Sequence, residues 1–424
     1  MDYKLKSLSN GLGVLSVEIP SYESVTVTVW VKTGSRYEDQ KVNGISHFLE
    51  HMVFKGSKKR PGSTQISEAV DAIGAEFNAA TSKDWTNFYI KSRKENLDFA
   101  TDVLSDMVLN PILDEQEITK EKGVIIQEIG MIEDNPMHKI GDLFENLIFE
   151  GSSLGWDIVG TVDPIKSIEK KDFVEYRKLR YHPGNMLITI AGGVSTEEAF
   201  SLVEKYFGSM EGGTTDGGFE NFRARQKSPK LKLLNKKNQQ GNLIIGFLAD
   251  GRGYKNRFTQ SVLATLLGGA MSSRLFIEIR EKRGLAYAIR TGMDRYQEVG
   301  YISTYAGVEV EKISEAIKVI LDQSYGLTDG RYPIKPEELK KAKEFLKGHL
   351  ALALEDSKDV NQFFGEPQLF LGKALTPEEI FERIDAVSEQ EILEEAKRLF
   401  QPEKLDLAVI GPYDNEEKFK ELLR

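Results

Sequence analysis

A segment near the middle of the chain is written a second time near its end. Moving residues 175–210 forward by 219 positions lays Pro183 on Pro402, Gly192 on Gly411, Phe200 on Phe419 and Lys178 on Lys397. The pair Glu197–Glu198 falls on Glu416–Glu417. Between the shared proline and glycine each copy carries a mostly apolar run, Met186–Ala191 and Leu405–Ile410, and each starts its next helix at the glutamate pair. The unit therefore reads helix, proline turn, strand, short polar loop, helix, and it recurs at half the length of a 424-residue chain. Such a repeat restricts the fold to two domains of about 200 residues built on one pattern. Gly208–Gly218, rich in Gly and Thr and followed by the polar, basic stretch Arg223–Lys232, supplies the linker. The expected division is 1–208, a linker at 209–227, and 228–424.

Within the first half, period-two alternation over Leu12–Glu18 and Val25–Val31 predicts strands meeting at a turn around Pro20 and Ser21. A helical run starts at Gly44, a second helix is expected over Thr64–Ile73, and Glu76–Ile90 reads as a strand pair. Long helical patterns cover Lys94–Leu109 and Asp114–Ile132, stopped by Pro111 and Pro136. Strands and helices come in runs instead of alternating strictly. The expected class is therefore α+β, with a mostly antiparallel or mixed sheet in each domain and helices packed on one face.

The chain contains no cysteine, which excludes disulfides, thiol nucleophiles, cysteine-ligated zinc and iron–sulfur clusters. Any metal site must draw on carboxylates and on five histidines, His47, His51, His138, His182 and His349. Asp and Glu total 66 against 56 Lys and Arg, and the resulting charge of −10 argues against a nucleic-acid partner. No apolar run reaches the ~20 residues that span a bilayer, and the opening MDYKLKSLSNG lacks the apolar stretch of a secretory signal. A cytoplasmic protein without a membrane partner is expected.

Two of the histidines stand four apart in His47-Phe48-Leu49-Glu50-His51. On a helix both imidazoles share a face and can reach one ion, with Glu50 beside them, while Phe48, Leu49 and Met52 pack the other face. This is the inverted form of the His-Glu-x-x-His zinc motif. A hydrolytic zinc site adds a third protein ligand, and the helix over Asp114–Ile132 offers two carboxylates seven apart, Glu121 and Glu128. Val124 and Ile125 lie between them on the expected apolar face, where an unpaired carboxylate is costly. The pattern alone does not rank the two. His138, His182 and His349 are isolated and read as structural or surface residues.

The similarity to known sequences extends well beyond this motif. Gly34 and Gly44 precede it and Phe54-Lys55-Gly56 follows it. Further on stand Phe77-Asn78-Ala79-Ala80-Thr81-Ser82, Glu121 through Ile129 with Glu133-Asp134, and Leu154-Gly155. The second half carries Gly268-Gly269-Ala270-Met271-Ser272-Ser273-Arg274-Leu275-Phe276 and Arg280-Glu281-Lys282-Arg283-Gly284-Leu285-Ala286-Tyr287. Over essentially its whole length the chain resembles the pitrilysin/insulinase family of inverted zinc metallopeptidases, in the short two-domain branch of processing-peptidase-like proteins. The resemblance implies one Zn2+ per chain, bound in the N-terminal domain by His47, His51 and Glu128, with Glu50 as general base and Glu121 as an accessory acid. It implies that Phe77, Asn78, Ala79, Ala80 and Thr81 form an edge strand to which an extended peptide adds, and that Arg280 and Tyr287 act over the scissile bond.

By the same resemblance the chain is a zinc metalloendopeptidase that degrades or trims peptides in a chamber between subunits. Short chains of this family pair, and the Arg–Tyr element over one metal centre comes from the partner. A homodimer with two composite sites is the expectation for a chain that carries both elements. The alternatives are a heterodimer with an inactive homologue and a non-catalytic scaffold subunit of the same fold.

Overall fold

A computed structural model describes residues 1–213 and 218–423; Thr214–Gly217 of the expected linker and the terminal Arg424 lie outside the described residues. The first half runs β1 (Lys4–Ser7), β2 (Gly13–Glu18), β3 (Ser24–Val31), α1 (Ile45–Val53), α2 (Ser63–Asp71), β4 (Glu76–Thr81), β5 (Thr86–Arg93), α3 (Leu97–Leu109), α4 (Glu115–Asp134), α5 (Pro136–Ile148), α6 (Val162–Ser167), α7 (Lys170–Arg180), β6 (Met186–Gly192) and α8 (Thr196–Phe207). The second runs β7 (Lys230–Asn235), β8 (Gln240–Asp250), α9 (Arg257–Ala264), β9 (Ala286–Arg295), β10 (Val299–Glu309), α10 (Ile313–Thr328), α11 (Pro336–Ala353), α12 (Ser357–Leu371), α13 (Pro377–Asp385), α14 (Glu389–Leu399), β11 (Leu405–Gly411) and α15 (Glu416–Leu422).

The repeated sequence unit forms the same structure twice. Helix α7, a 3-10 turn at Pro183–Asn185, β6 and α8 recur as α14, a 3-10 turn at Pro402–Lys404, β11 and α15. The two sheets also share one strand order. The first is β1-β2-β6-β3-β5-β4 and the second β7-β11-β8-β10-β9. In each, the repeated strand lies inside the sheet, parallel to one neighbour (β2 or β7) and antiparallel to the other (β3 or β8). The fold is α+β with mixed sheets, as expected. Strands β2 and β3, however, do not pair across their turn: β6 lies between them, with Val27 opposite Ile190 and Leu15 opposite Thr189. Alternation located both strands, but it carries no information about a strand arriving from 160 residues later.

The described chain forms two compact units. One comprises Met1–Gly130, Trp156–Glu220 and Ala351–Pro377, the other Met131–Gly155, Asn221–Leu350 and Glu378–Arg424. They differ from the contiguous spans 1–208 and 228–424 in two exchanged segments, one carrying α5 and one carrying α12. The reason lies in the sheet faces. In β3 the odd residues Val25, Val27, Val29 and Val31 are fully buried, and Thr26, Thr28 and Trp30 are buried as well. Successive side chains point to opposite faces, so this strand needs cover on both, and α12 provides the second. Ser357 bonds the Thr26 hydroxyl at 2.9 Å, and the Asn361 amide donates to the carbonyls of Thr26 (2.8 Å) and Thr189 (3.1 Å). Trp30 Nε1 donates to Thr189 Oγ1 at 2.9 Å. Gly365 lies so close to the Trp30 ring that a Cβ there would sit 2.6 Å from Nε1.

In the second unit α5 plays the corresponding part. Phe144 meets Tyr301 edge-on at 5.2 Å and Phe149 meets Tyr296 at 5.5 Å. Both tyrosine hydroxyls donate to the Glu145 carboxylate. Besides the helices expected on one face, each sheet thus carries a helix on the other, α12 or α5, supplied by the opposite half of the sequence. Among the described residues no helix is long and apolar enough to cross a membrane.

Replacing Asn361 by Ala leaves the Thr189 hydroxyl and two carbonyls short of partners in a fully buried place. The expected loss is about 3 kcal/mol of unfolding free energy in urea titrations; a loss below about 1 kcal/mol would contradict this account of how α12 is held.

Candidate metal centre

Helix α1 is held at its start by a buried carboxylate. Gly44 caps it with φ 96°, and a Cβ there would sit 2.8 Å from the Val159 carbonyl, so both conformation and space require glycine. Glu38 accepts the N–H of Gly44 at 2.7 Å, the N–H of Ser46 at 2.8 Å and the Asn43 amide at 2.9 Å. An anion at this position meets the unpaired N–H groups and the positive end of the helix. The Ser46 hydroxyl is bonded to Tyr176 at 2.6 Å, and Tyr176 also bonds Thr33 at 2.8 Å. Ile45, Phe48, Leu49, Met52 and Val53 are buried, with Phe48 edge-on to Phe173 at 4.9 Å. That burial fixes the rotation of the helix and leaves His47, Glu50 and His51 on its other side.

The third side of the site comes from α4. There Ile118, Glu121 and Ile125 are buried, Glu128 is partly exposed, and Val124 is 45% exposed. Of the two residues expected on the apolar face, Ile125 is buried, with Ile118 beside it, whereas Val124 is turned to solvent. Glu121 and Glu128 are separated by two turns and have different partners. Glu128 Oε1 lies 3.7 Å from His47 Nε2, and its Oε2 lies 3.7 Å from His51 Nε2. Glu121 Oε1 instead meets His51 Nδ1 at 2.8 Å, while its Oε2 is 2.5 Å from the Lys55 ammonium.

Among the described residues, His47, His51 and Glu128 are the one group of three side chains whose ligand atoms all fall within 4.8 Å of one another. A separation of 3.7 Å is too long for a hydrogen bond. It is close to the ~3.4 Å between two ligands that each sit ~2.05 Å from one tetrahedral ion. Two imidazoles and a carboxylate, without sulfur, suit zinc and neighbouring divalent transition ions. His47 is in the protonation state that a metal ligand requires. Burial, with the charge of His51 adding to it, pushes His47 down to about 4, so this ring is neutral near pH 7. Burial also disfavours the charged form of His51, but the hydrogen bond to Glu121 and the charges of Glu121, Glu128 and Glu50 outweigh it and raise its pKa. Burial acts on Glu121 in the raising direction and is overcome by its bonds to His51 and Lys55, which hold it below the usual carboxylate range. With Nδ1 of His51 engaged by Glu121, Nε2 is the nitrogen that faces Glu128, and an ion bound there would displace the proton that the surrounding carboxylates favour.

Glu50 stands on the same face of α1. Burial raises its pKa, and a hydrogen bond donated by the Thr81 hydroxyl is the largest opposing influence. Thr81 ends β4, which is the edge strand of its sheet, with Glu76, Asn78 and Ala80 exposed. Phe77 packs against Phe54 at 5.4 Å, and the Ala79 N–H donates to Asn78 Oδ1 at 2.8 Å. Arg280 and Tyr287 belong to the second compact unit. Arg280 donates to the Tyr287 carbonyl at 3.0 Å and lies 5.3 Å from its ring centroid; the ring is 78% exposed at the start of the edge strand β9. Three residues of the site carry no role in the sequence reading: Glu38, Lys55, and Thr81 as a partner of Glu50. Only Lys55 had a local signal, a cation four residues after His51.

Comparison with known proteins bears on the whole chain. Residues 13–162 match the insulinase family, peptidase family M16, and residues 167–346 match the M16 inactive domain. The chain is 36% identical to the Bacillus subtilis protein named uncharacterized zinc protease YmxG, over 97% of this chain and 99% of the relative. It is 35% identical to an uncharacterized zinc protease of Rickettsia felis, over 97% and 98%. Among solved structures, a protease from Helicobacter pylori superposes with a TM-score of 0.89 at 24% identity, covering 97% of this chain and all of that one. A chain of complex III2 from Candida albicans superposes at 0.83 with 19% identity, over 99% of each. At these identities the two structures speak for the fold alone.

Burial pushes Glu38 up to about 7, against the lowering effect of its bonds from Ser46, Gly44 and Asn43. Because this lies above the ordinary 4.5, the contribution of Glu38 to stability is complete below about pH 4.5 and is lost as pH rises through about 7. The difference in unfolding free energy between the parent and Glu38→Gln should therefore fall by up to about 3 kcal/mol between pH 4.5 and 8. A difference independent of pH would contradict this.

Proposed function

Since the chain belongs to the insulinase family of peptidases, family M16, we propose that it is a zinc metalloendopeptidase acting on extended peptides. The observation that carries this reading is the convergence of His47 Nε2, His51 Nε2 and Glu128 on one point, with Glu50 beside them and an open strand edge ending at Thr81. Zinc held by His47, His51 and Glu128 supplies Lewis acidity and a coordinated water of lowered pKa.

The chain's own residues do the rest. Glu50 takes up a proton at its free carboxylate oxygen and returns it to the departing nitrogen. Burial raises its proton affinity and the Thr81 hydroxyl moderates it, which suits a group that must both accept and give. Residues Phe77–Thr81 receive the peptide as an added strand through backbone hydrogen bonds, which selects extended chains over folded ones. The Tyr287 hydroxyl donates to the carbonyl oxygen as negative charge develops there, and Arg280 orients Tyr287. We take residues 1–208 as the metal-bearing domain and 228–424 as its duplicated counterpart, and the active form as a homodimer in which each chain lends Arg280 and Tyr287 to its partner's metal centre. Degradation of loose peptides and trimming of N-terminal extensions are both within reach of such a site.

A non-catalytic scaffold would not need Glu50 beside an assembled set of metal ligands. Glu50→Gln should retain one zinc per chain and lower peptide cleavage at least about a hundredfold; unchanged cleavage, or absence of stoichiometric zinc in the parent, would overturn the enzyme reading. Mixing Glu50→Gln with Tyr287→Phe tests the shared site. Random re-pairing of two inactive variants gives heterodimers with one intact site, and so about a quarter of the parent activity. If both elements acted within one chain, mixing would restore none.

A further inference from the structure

Lys55 stands just past the end of α1, four residues beyond His51, and touches no candidate ligand. Its backbone N–H bonds the Met52 carbonyl at 3.1 Å, and its ammonium reaches across to α4 to meet Glu121 Oε2 at 2.5 Å. The Glu121 side chain is only 5% exposed, so neither of its oxygens can rely on solvent; His51 Nδ1 satisfies one and Lys55 the other. Resting on the metallopeptidase reading above, we infer that Lys55 is a positioning residue of the metal centre: it holds the Glu121 carboxylate in the orientation that fixes the His51 ring and aims Nε2 at the metal.

The dependence rests on satisfied partners. With the ammonium removed, Oε2 is left without a donor in a nearly closed place, where an unmet carboxylate oxygen is strongly disfavoured. The carboxylate then rotates toward whatever donor or water it can reach, and its bond to Nδ1 is strained or lost. The His51 ring is free to turn once that bond goes. His47 has no comparable support, because its Nδ1 is buried without a hydrogen-bond partner. The orientation of the metal-binding pair therefore depends on the chain Lys55–Glu121–His51. A lysine at this point can also act in a simpler way, as a cation favouring the C-terminal end of a helix. That effect would need no Glu121, and this difference makes the two separable.

A double-mutant cycle on zinc affinity decides between them. Zinc dissociation constants are measured by competition with a chromophoric chelator for the full-length parent, Lys55→Met, Glu121→Gln and the double variant. Melting of each metal-free protein verifies that it is folded. Lys55→Met should weaken zinc binding about 10- to 100-fold when Glu121 is present, the range found for partners behind a ligand, and by less than about twofold in the Glu121→Gln background. Lys55→Arg, which keeps the charge and the donors, should stay within about threefold of the parent. Should Lys55→Met fail to fold, Lys55→Gln is read in the same cycle. Unchanged zinc affinity in Lys55→Met, or an equal loss in both backgrounds, would overturn the inference while leaving the zinc site intact. A parent chain that takes up no zinc would overturn the reading beneath it.

Discussion

Helix α1 carries two demands on nine residues. One face must be apolar enough to be sealed into a core, and the other must hold imidazoles and a carboxylate within reach of solvent. Ile45, Phe48, Leu49, Met52 and Val53 meet the first demand, and their burial sets the rotation of the helix to within the tolerance of close packing. His47, Glu50 and His51 are then left facing α4 and the edge strand β4. Both ends are tied by polar contacts: Glu38 accepts the N–H groups of the first turn, and Lys55, beyond the last turn, pairs with Glu121. The remaining site geometry follows from a helix that can neither rotate nor slide.

Four acidic residues around this helix differ in what they face, and that difference sorts their roles. Glu38 meets only neutral donors in a closed interior and has the most strongly raised pKa of the four. Glu121 meets a cation and an imidazole and is held anionic. Glu50 lies between, shielded but touched by one hydroxyl. Glu128 approaches two imidazole nitrogens and hydrogen-bonds to neither. The roles proposed for them, cap, orienting group, proton carrier and ligand, each match a different one of these environments.

Much of this was legible before any coordinates. The repeat at 219 residues identified the two corresponding inner strands, β6 and β11, and the helices that flank them, because both copies keep the proline turn and the strand-ending glycine. The pair His47 and His51 was legible through helical spacing. The choice between Glu121 and Glu128 was not, since residues seven apart share a face and the pattern cannot say which ring nitrogen each carboxylate meets. Glu38 was invisible because its importance arises from a loop folding back on a helix start. The exchange of α5 and α12 was hidden for a related reason: Thr26, Thr28 and Trp30 look like a solvated face until Asn361 arrives from far along the chain to bond the carbonyls of Thr26 and Thr189.

The duplicated topology gives each unit an open edge strand, β4 in one and β9 in the other, but among the described residues a set of three candidate ligands in one alone. The proposed enzyme divides its chemistry accordingly, with metal and base beside β4 and the Arg280–Tyr287 pair at β9. This division requires that His47, His51 and Glu128 bind one ion together. X-ray absorption at the zinc edge, on protein loaded with one equivalent of zinc, tests this most directly. The account predicts two imidazole nitrogens and carboxylate or water oxygen at about 2.0–2.1 Å, with loss of one imidazole on His47→Ala. A spectrum with fewer than two imidazoles in the parent, or one unaltered by His47→Ala, would contradict it.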